Sequence, residues 1–161
     1  MLAWGAIGQS LSYVRYYLKY VVRTDGSFNY YGPSGTEYGQ WLWLLDQIET
    51  QLGPQAWIAS DLDKVIATGR LLEALRQVLA GSTLRLVQIG AEADNRHEVY
   101  IYFSNNLWAI RGLQAVARLA ARHGRTTEAS EAQSWAESLA HDVHQAIHAW
   151  AETTSLGPLI P

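Results

Sequence analysis

Four carboxylates stand where the chain carries turn residues or enters a helix: Asp25 in TDGS, Glu37 ahead of an apolar run, and Glu92 and Asp94 in GAEADNRH. Carboxylates on separate loops can do general acid–base work, one giving a proton while the other takes one or attacks. Asp94 is assigned first as catalytic, with Glu37 and Asp25 as its candidate partners. Tyr30, Tyr31, Tyr38, Glu92, Tyr100 and Asn105 are assigned as substrate contacts, because hydroxyl-tipped rings and polar side chains can both stack on and hydrogen-bond an amphipathic ligand. Each has a plain structural use as well. Asp before Gly is turn chemistry, Glu37 suits the positive end of a helix, alternating Tyr in a strand makes a packed face, and Asn105 can cap a helix. His141, His144 and His148 share one side of a helix at i, i+3 and i+7 and could face a metal. Only Asp142 and Glu152 accompany them, and no metal is assigned.

The elements that must position these residues are helices. Apolar residues three and four apart predict helices at about 6–22, 37–52, 61–80, 104–123 and 128–150. Asp25-Gly26 and Gly53-Pro54 punctuate them, Ser60 is expected to cap the third, and Ser104 or Asn105 the fourth. Gly69 inside the third helix costs about 1 kcal/mol of propensity relative to Ala, which points to a close helix contact. The stretches 83–89 and 98–103 alternate as strands, with a turn-prone segment between, and predict a small β-hairpin.

Placing Asn105 on Gln40, an offset of 65 residues, aligns Leu107 with Leu42, Trp108 with Trp43 and Leu113 with Ile48. The chain therefore reads as internally repeated α-hairpins. Helices two and four are equivalent, as are three and five, so the long loops at 24–36 and 81–103 should open at one end. The short connections at 53–60 and 124–127 should lie at the other. Trp43 and Trp108 occupy equivalent positions, either in the core or at the mouth between helices.

Composition bounds the function. A chain of 161 residues with 48% hydrophobic content can bury the core of one domain. A net charge of −3 without like-charge blocks gives no reason to expect nucleic acid. The absence of cysteine excludes disulfides and thiolate metal sites. No apolar run is long enough to span a membrane and no leader pattern follows Met1, so a cytoplasmic protein is expected. Seven Trp and nine Tyr against two Phe make amphipathic rings the distinctive feature.

The segments DGSFNYYGPSGTEYGQWLWLL, LRLVQIGAEADNRHEVYIYFSNNLWAIRGLQAVARLAARHGR and GPLIP resemble parts of the six-hairpin glycosidase superfamily, the (α/α)6 toroids. The resemblance implies an all-α fold of antiparallel α/α hairpins forming less than half of such a toroid, with the β-hairpin inserted near 83–103. It also implies a saccharide ligand, hydrolysis by a carboxylate pair, and no cofactor. An isolated chain of this kind is expected to be catalytically poor and to self-associate or dock on a complementary chain. Two alternatives are a toroid polysaccharide lyase using His97, Tyr100 and Asn105, and a non-catalytic helical interaction module. The lyase is disfavoured because the loops offer only Arg85 and Arg96 to an acidic sugar.

Overall fold

A computed structural model describes residues 6–29, 35–90 and 99–151. Helix α1 (Ile7–Tyr16) runs into a π-helical turn (Tyr17–Val21), and α2 spans Gly35–Leu52. A short α3 (Ala56–Ser60) leads to α4 (Leu62–Ala74). Strands β1 (Arg76–Val78), β2 (Arg85–Gly90) and β3 (Val99–Ile101) precede α5 (Phe103–Arg122) and α6 (Thr126–Ala151).

The expected mostly helical chain with a small antiparallel insertion is present. Four helix boundaries agree closely with the apolar spacing; the third does not. The helix expected at 61–80 stops at Ala74, and residues 76–78 become β1, paired antiparallel with β2 through Arg76↔Val87 and Val78↔Arg85. Helical spacing continues through Leu75 and Leu79, but edge pairing with β2 satisfies the backbone there. The sheet thus has three strands in the order β1-β2-β3. Ser60 does not cap α4: it ends α3, and its hydroxyl donates to the Trp57 carbonyl at 3.0 Å. Neither Ser104 nor Asn105 caps α5, whose N-cap position is Tyr102. Residues 17–21 of the expected first helix widen into the π turn.

Helices α2 and α5, the predicted repeat equivalents, pack side by side and parallel. Thr36 meets Asn105 near their starts, Asp46 meets Arg118 further along, and Thr50 meets Arg122 near their ends. Two glycines permit the close approach. A Cβ on Gly39 would lie 2.0 Å from the Trp108 carbonyl oxygen, and one on Gly112 would lie 2.8 Å from the Gly39 Cα. Leu42, Leu45, Ile48, Leu113, Val116 and Leu119 fill the interface and are essentially inaccessible. Burial of such side chains contributes about 1.5–3 kcal/mol each.

Helix α4 runs antiparallel to α5, since Asp63 meets Arg125 and Gly69 faces Val116. The close contact expected at Gly69 is therefore against Val116, whose Cγ2 lies 3.2 Å from an ideal Cβ. Helix α6 returns along α5 after Gly124, which adopts φ 74° as few other residues would. It lies parallel to α4, with Arg70 facing Glu131 and Arg76 facing Asp142. Two α-hairpins, α2/α4 and α5/α6, thus stack in parallel, and the 53–55 and 123–125 connections meet at one end through Glu49.

Candidate functional site

Among the sequence-assigned residues, Asp25, Glu37 and Tyr38 come together at the start of α2. Residues 22–28 form a tight loop closed by the Val22↔Phe28 bridge. Thr68 of α4 pins it by donating its hydroxyl to the Gly26 carbonyl at 3.0 Å. Phe28 then lies 4.3 Å from the Tyr38 ring and 5.5 Å from Tyr17, and Tyr17 lies 4.5 Å from Trp41. A cleft of about 230 Å³ opens beside this cluster, lined by Tyr17, Phe28, Glu37, Gln40, Trp41 and Leu44. The buried Trp41 Nε1 has no hydrogen-bond partner among the described residues.

Asp25 is exposed, and its Oδ1 accepts hydrogen bonds from the Ser27 hydroxyl at 2.6 Å and the Ser27 amide at 2.9 Å. These bonds hold its carboxyl below the usual aspartate range, with Arg23 adding to the effect. An acid so easily ionised suits a base or an anionic contact and is poorly placed to be the proton donor. Tyr38 is buried, which pushes its phenol upward; a hydrogen bond with the Phe28 backbone opposes that shift, and the charges of Asp25 and Glu37 reinforce it. The ring packs on Phe28 as part of the core.

Asn105 is fully buried. Its Oδ1 accepts from Thr36 Oγ1 at 2.5 Å and its Nδ2 donates to the Gly90 carbonyl at 3.3 Å, so the amide ties α2 to β2. Its neighbour Asn106 grips the Val87 amide at 2.8 Å and the Val87 carbonyl at 3.2 Å. The assignments to Tyr30, Tyr31, Glu92 and Asp94 fall outside the described residues, as does the side chain of Tyr100.

On the other flank of α2, Trp43 and Trp108 are half-buried and bound an open groove; the core placement is corrected. Their ring centroids are 5.9 Å apart at 65°. Leu107, Ile110, Arg111 and Gln114 complete a groove of about 620 Å³. Among the described residues Arg111 and Gln114 make no hydrogen bond or ion pair, and a guanidinium and an amide line the groove beside the two indoles.

No family model, curated protein or solved structure matches the chain. The site therefore rests on its own geometry.

Further along α2 and α5, toward their C-terminal ends, lies an ion network that is not among the sequence-assigned residues. Asp46 is buried and accepts from Arg118 Nε at 3.0 Å, from Arg118 Nη2 at 2.8 Å and from Arg122 Nη1 at 2.7 Å. Glu49 is also buried; its Oε1 accepts the Gln55 amide at 2.9 Å and contacts His123 Nε2 at 2.8 Å. Glu49 Oε2 has no hydrogen-bond partner among the described residues, with Arg122 Nη1 3.9 Å away. Acids at i and i+3 within the apolar stripe of helix two, and arginines at i and i+4 in its repeat equivalent, were the available signal. With both carboxylates buried and already bridged from α5, this network sets helix register.

Proposed function

We propose that the protein binds saccharides, in keeping with its resemblance to toroid glycosidases, and that Trp43 and Trp108 form the platform. The pairing of these two rings at an open groove is the observation that carries the reading. A pyranose ring presents C–H faces that stack on indole and hydroxyl edges that need hydrogen-bond partners. Indole faces with an adjacent guanidinium and amide meet both needs, in the manner of an apolar pocket with a few polar groups. Glycoside cleavage would take place apart from this platform, in the aromatic cleft on the opposite flank of α2, with Glu37 as one carboxylate and Asp94 as its candidate partner.

Titration of the protein with a panel of neutral and acidic oligosaccharides, followed by tryptophan fluorescence and calorimetry, tests the binding. Trp108→Leu and Trp43→Leu are each expected to weaken it about tenfold or more, on the order of the 1.4 kcal/mol that one stacking ring contributes. Saccharide affinity unchanged in both variants, or absent from the wild type, overturns the platform. Hydrolysis of chromogenic glycosides that is lost in Glu37→Gln while binding persists supports cleavage; turnover indifferent to that substitution removes Glu37.

A second reading, an interaction module that self-associates, is favoured by α1 and the π turn. Tyr13, Tyr16 and Tyr20 are 66%, 60% and 59% exposed there, a concentration of bare rings suited to a partner surface. Sedimentation of Tyr13→Ser/Tyr16→Ser beside wild type decides it, a concentration-independent monomer in both cases refuting self-association.

A further inference from the structure

His144 and His148 stand one helical turn apart on α6, both exposed, with Nε2 atoms 3.1 Å apart. Their rings are 4.4 Å apart and inclined at 62°, so the two nitrogens converge while the ring bodies splay. Without a metal, one imidazole N–H donates to the other ring's lone pair. The same spacing suits two lone pairs meeting one cation. With metal–nitrogen bonds of about 2.0–2.1 Å, nitrogens 3.1 Å apart subtend about 100° at the ion. That angle lies between the right angle of square-planar and octahedral sites and the wider angle of a tetrahedral one.

We propose that His144 and His148 chelate a divalent late transition-metal ion, Zn²⁺, Ni²⁺ or Cu²⁺, on the exposed face of α6. Imidazole nitrogen selects these ions over the oxygen-seeking Mg²⁺ and Ca²⁺. The donor ring moves its proton from Nε2 to Nδ1 through solvent, and both Nε2 lone pairs then bind the ion. Among the described residues no cluster of three or more His, Asp or Glu forms, so water completes the coordination. His141, three residues before His144 on α6, is not a ligand. The site is independent of the groove: it clamps one turn of α6 near its end, and ion binding stabilises the folded chain by mass action.

Calorimetric titration of tag-free protein with NiCl₂ and ZnCl₂, beside MgCl₂, tests the chelate, with thermal unfolding as a second readout. One Ni²⁺ or Zn²⁺ per chain is expected, with a rise in unfolding temperature and no response to Mg²⁺. His144→Ala and His148→Ala should each weaken binding about tenfold or more, since each removes one of two protein ligands. Both side chains are exposed, so the variants should keep the wild-type circular dichroism, and His141→Ala should keep the wild-type affinity. Binding that survives in both single variants, that is lost in His141→Ala, or that Mg²⁺ matches overturns the proposal.

Discussion

Replacing Gly39 by alanine puts one methyl group between two helix backbones. Its carbon would lie 2.0 Å from the Trp108 carbonyl oxygen and 2.3 Å from the Trp108 carbonyl carbon, with Ala109 N at 3.0 Å. Relief to an ordinary contact needs α2 and α5 to part by about 1.3 Å at that point, and neither surface is a side chain that could rotate away. Overpacking of this kind costs about 1–3 kcal/mol, and rigid backbone on both sides places Gly39 at the upper end. Alanine recovers about 1 kcal/mol of helix propensity, leaving a net loss near 2 kcal/mol. Gly69→Ala is the internal control. Its methyl would meet Val116 Cγ2 at 3.2 Å, a side-chain contact that yields by a few tenths of an ångström. Propensity should dominate there, making the variant neutral to about 1 kcal/mol more stable. Urea unfolding followed by far-ultraviolet circular dichroism measures both. A Gly39→Ala variant as stable as wild type, or one less affected than Gly69→Ala, would refute the close backbone packing.

The ion network should respond asymmetrically. Removing both cations with Arg118→Met/Arg122→Met strands Asp46, whose side chain is 2% exposed, and should cost about 3–5 kcal/mol. Asp46→Asn should cost less, because Arg118 is 46% exposed and can turn to water; urea midpoints in the opposite order would sink the account. Asp25 should titrate below the usual aspartate range by carbon-detected NMR, and Ser27→Ala should raise its midpoint; an unmoved midpoint discards the Ser27 explanation. Because the folded value is depressed, its contribution to stability is present above the ordinary aspartate value and is lost as pH falls through the folded one. Tyr38, whose phenol is pushed up, carries the opposite sign. Stability present below the ordinary tyrosine value should fall as alkaline pH ionises the unfolded chain first, and Tyr38→Phe should flatten that slope in alkaline unfolding curves.

Helices α2, α5 and α6 were readable because their apolar stripes are uninterrupted, and α2 and α5 each end close to a glycine, Gly53 and Gly124. The repeat offset placed Trp43 and Trp108 at equivalent positions, and the parallel packing of α2 on α5 makes them neighbours. Tertiary partners were invisible to local rules. Asn105 looks like a cap because Asn caps helices, yet its amide is taken by Thr36, 69 residues away. Arg76 lies within the expected third helix, but its guanidinium reaches Asp142 at 2.8 Å and Ser138 at 3.1 Å, anchoring a strand where helical spacing continues. The loop acids at 92 and 94 lie outside the described residues. Of the others, Asp25 is engaged by its own turn and Glu37 faces a cleft. The groove pair Arg111 and Gln114 carries no composition signal at all, since helices display Arg and Gln on solvent faces everywhere.

Parallel stacking of α2 on α5 and α4 on α6 relates one hairpin to the next by a screw-like step rather than a twofold axis. The surface a hairpin offers on one side therefore differs from the surface it presents on the other, so contact between hairpins is heterologous and polar, like that between units of a solenoid. Stability in such an array is a sum of unit and nearest-neighbour contributions. Parting the helices at Gly39 weakens a joint between two units while each keeps its own turns. Unfolding of that variant should consequently lose the sharpness of a single transition before it loses helix content.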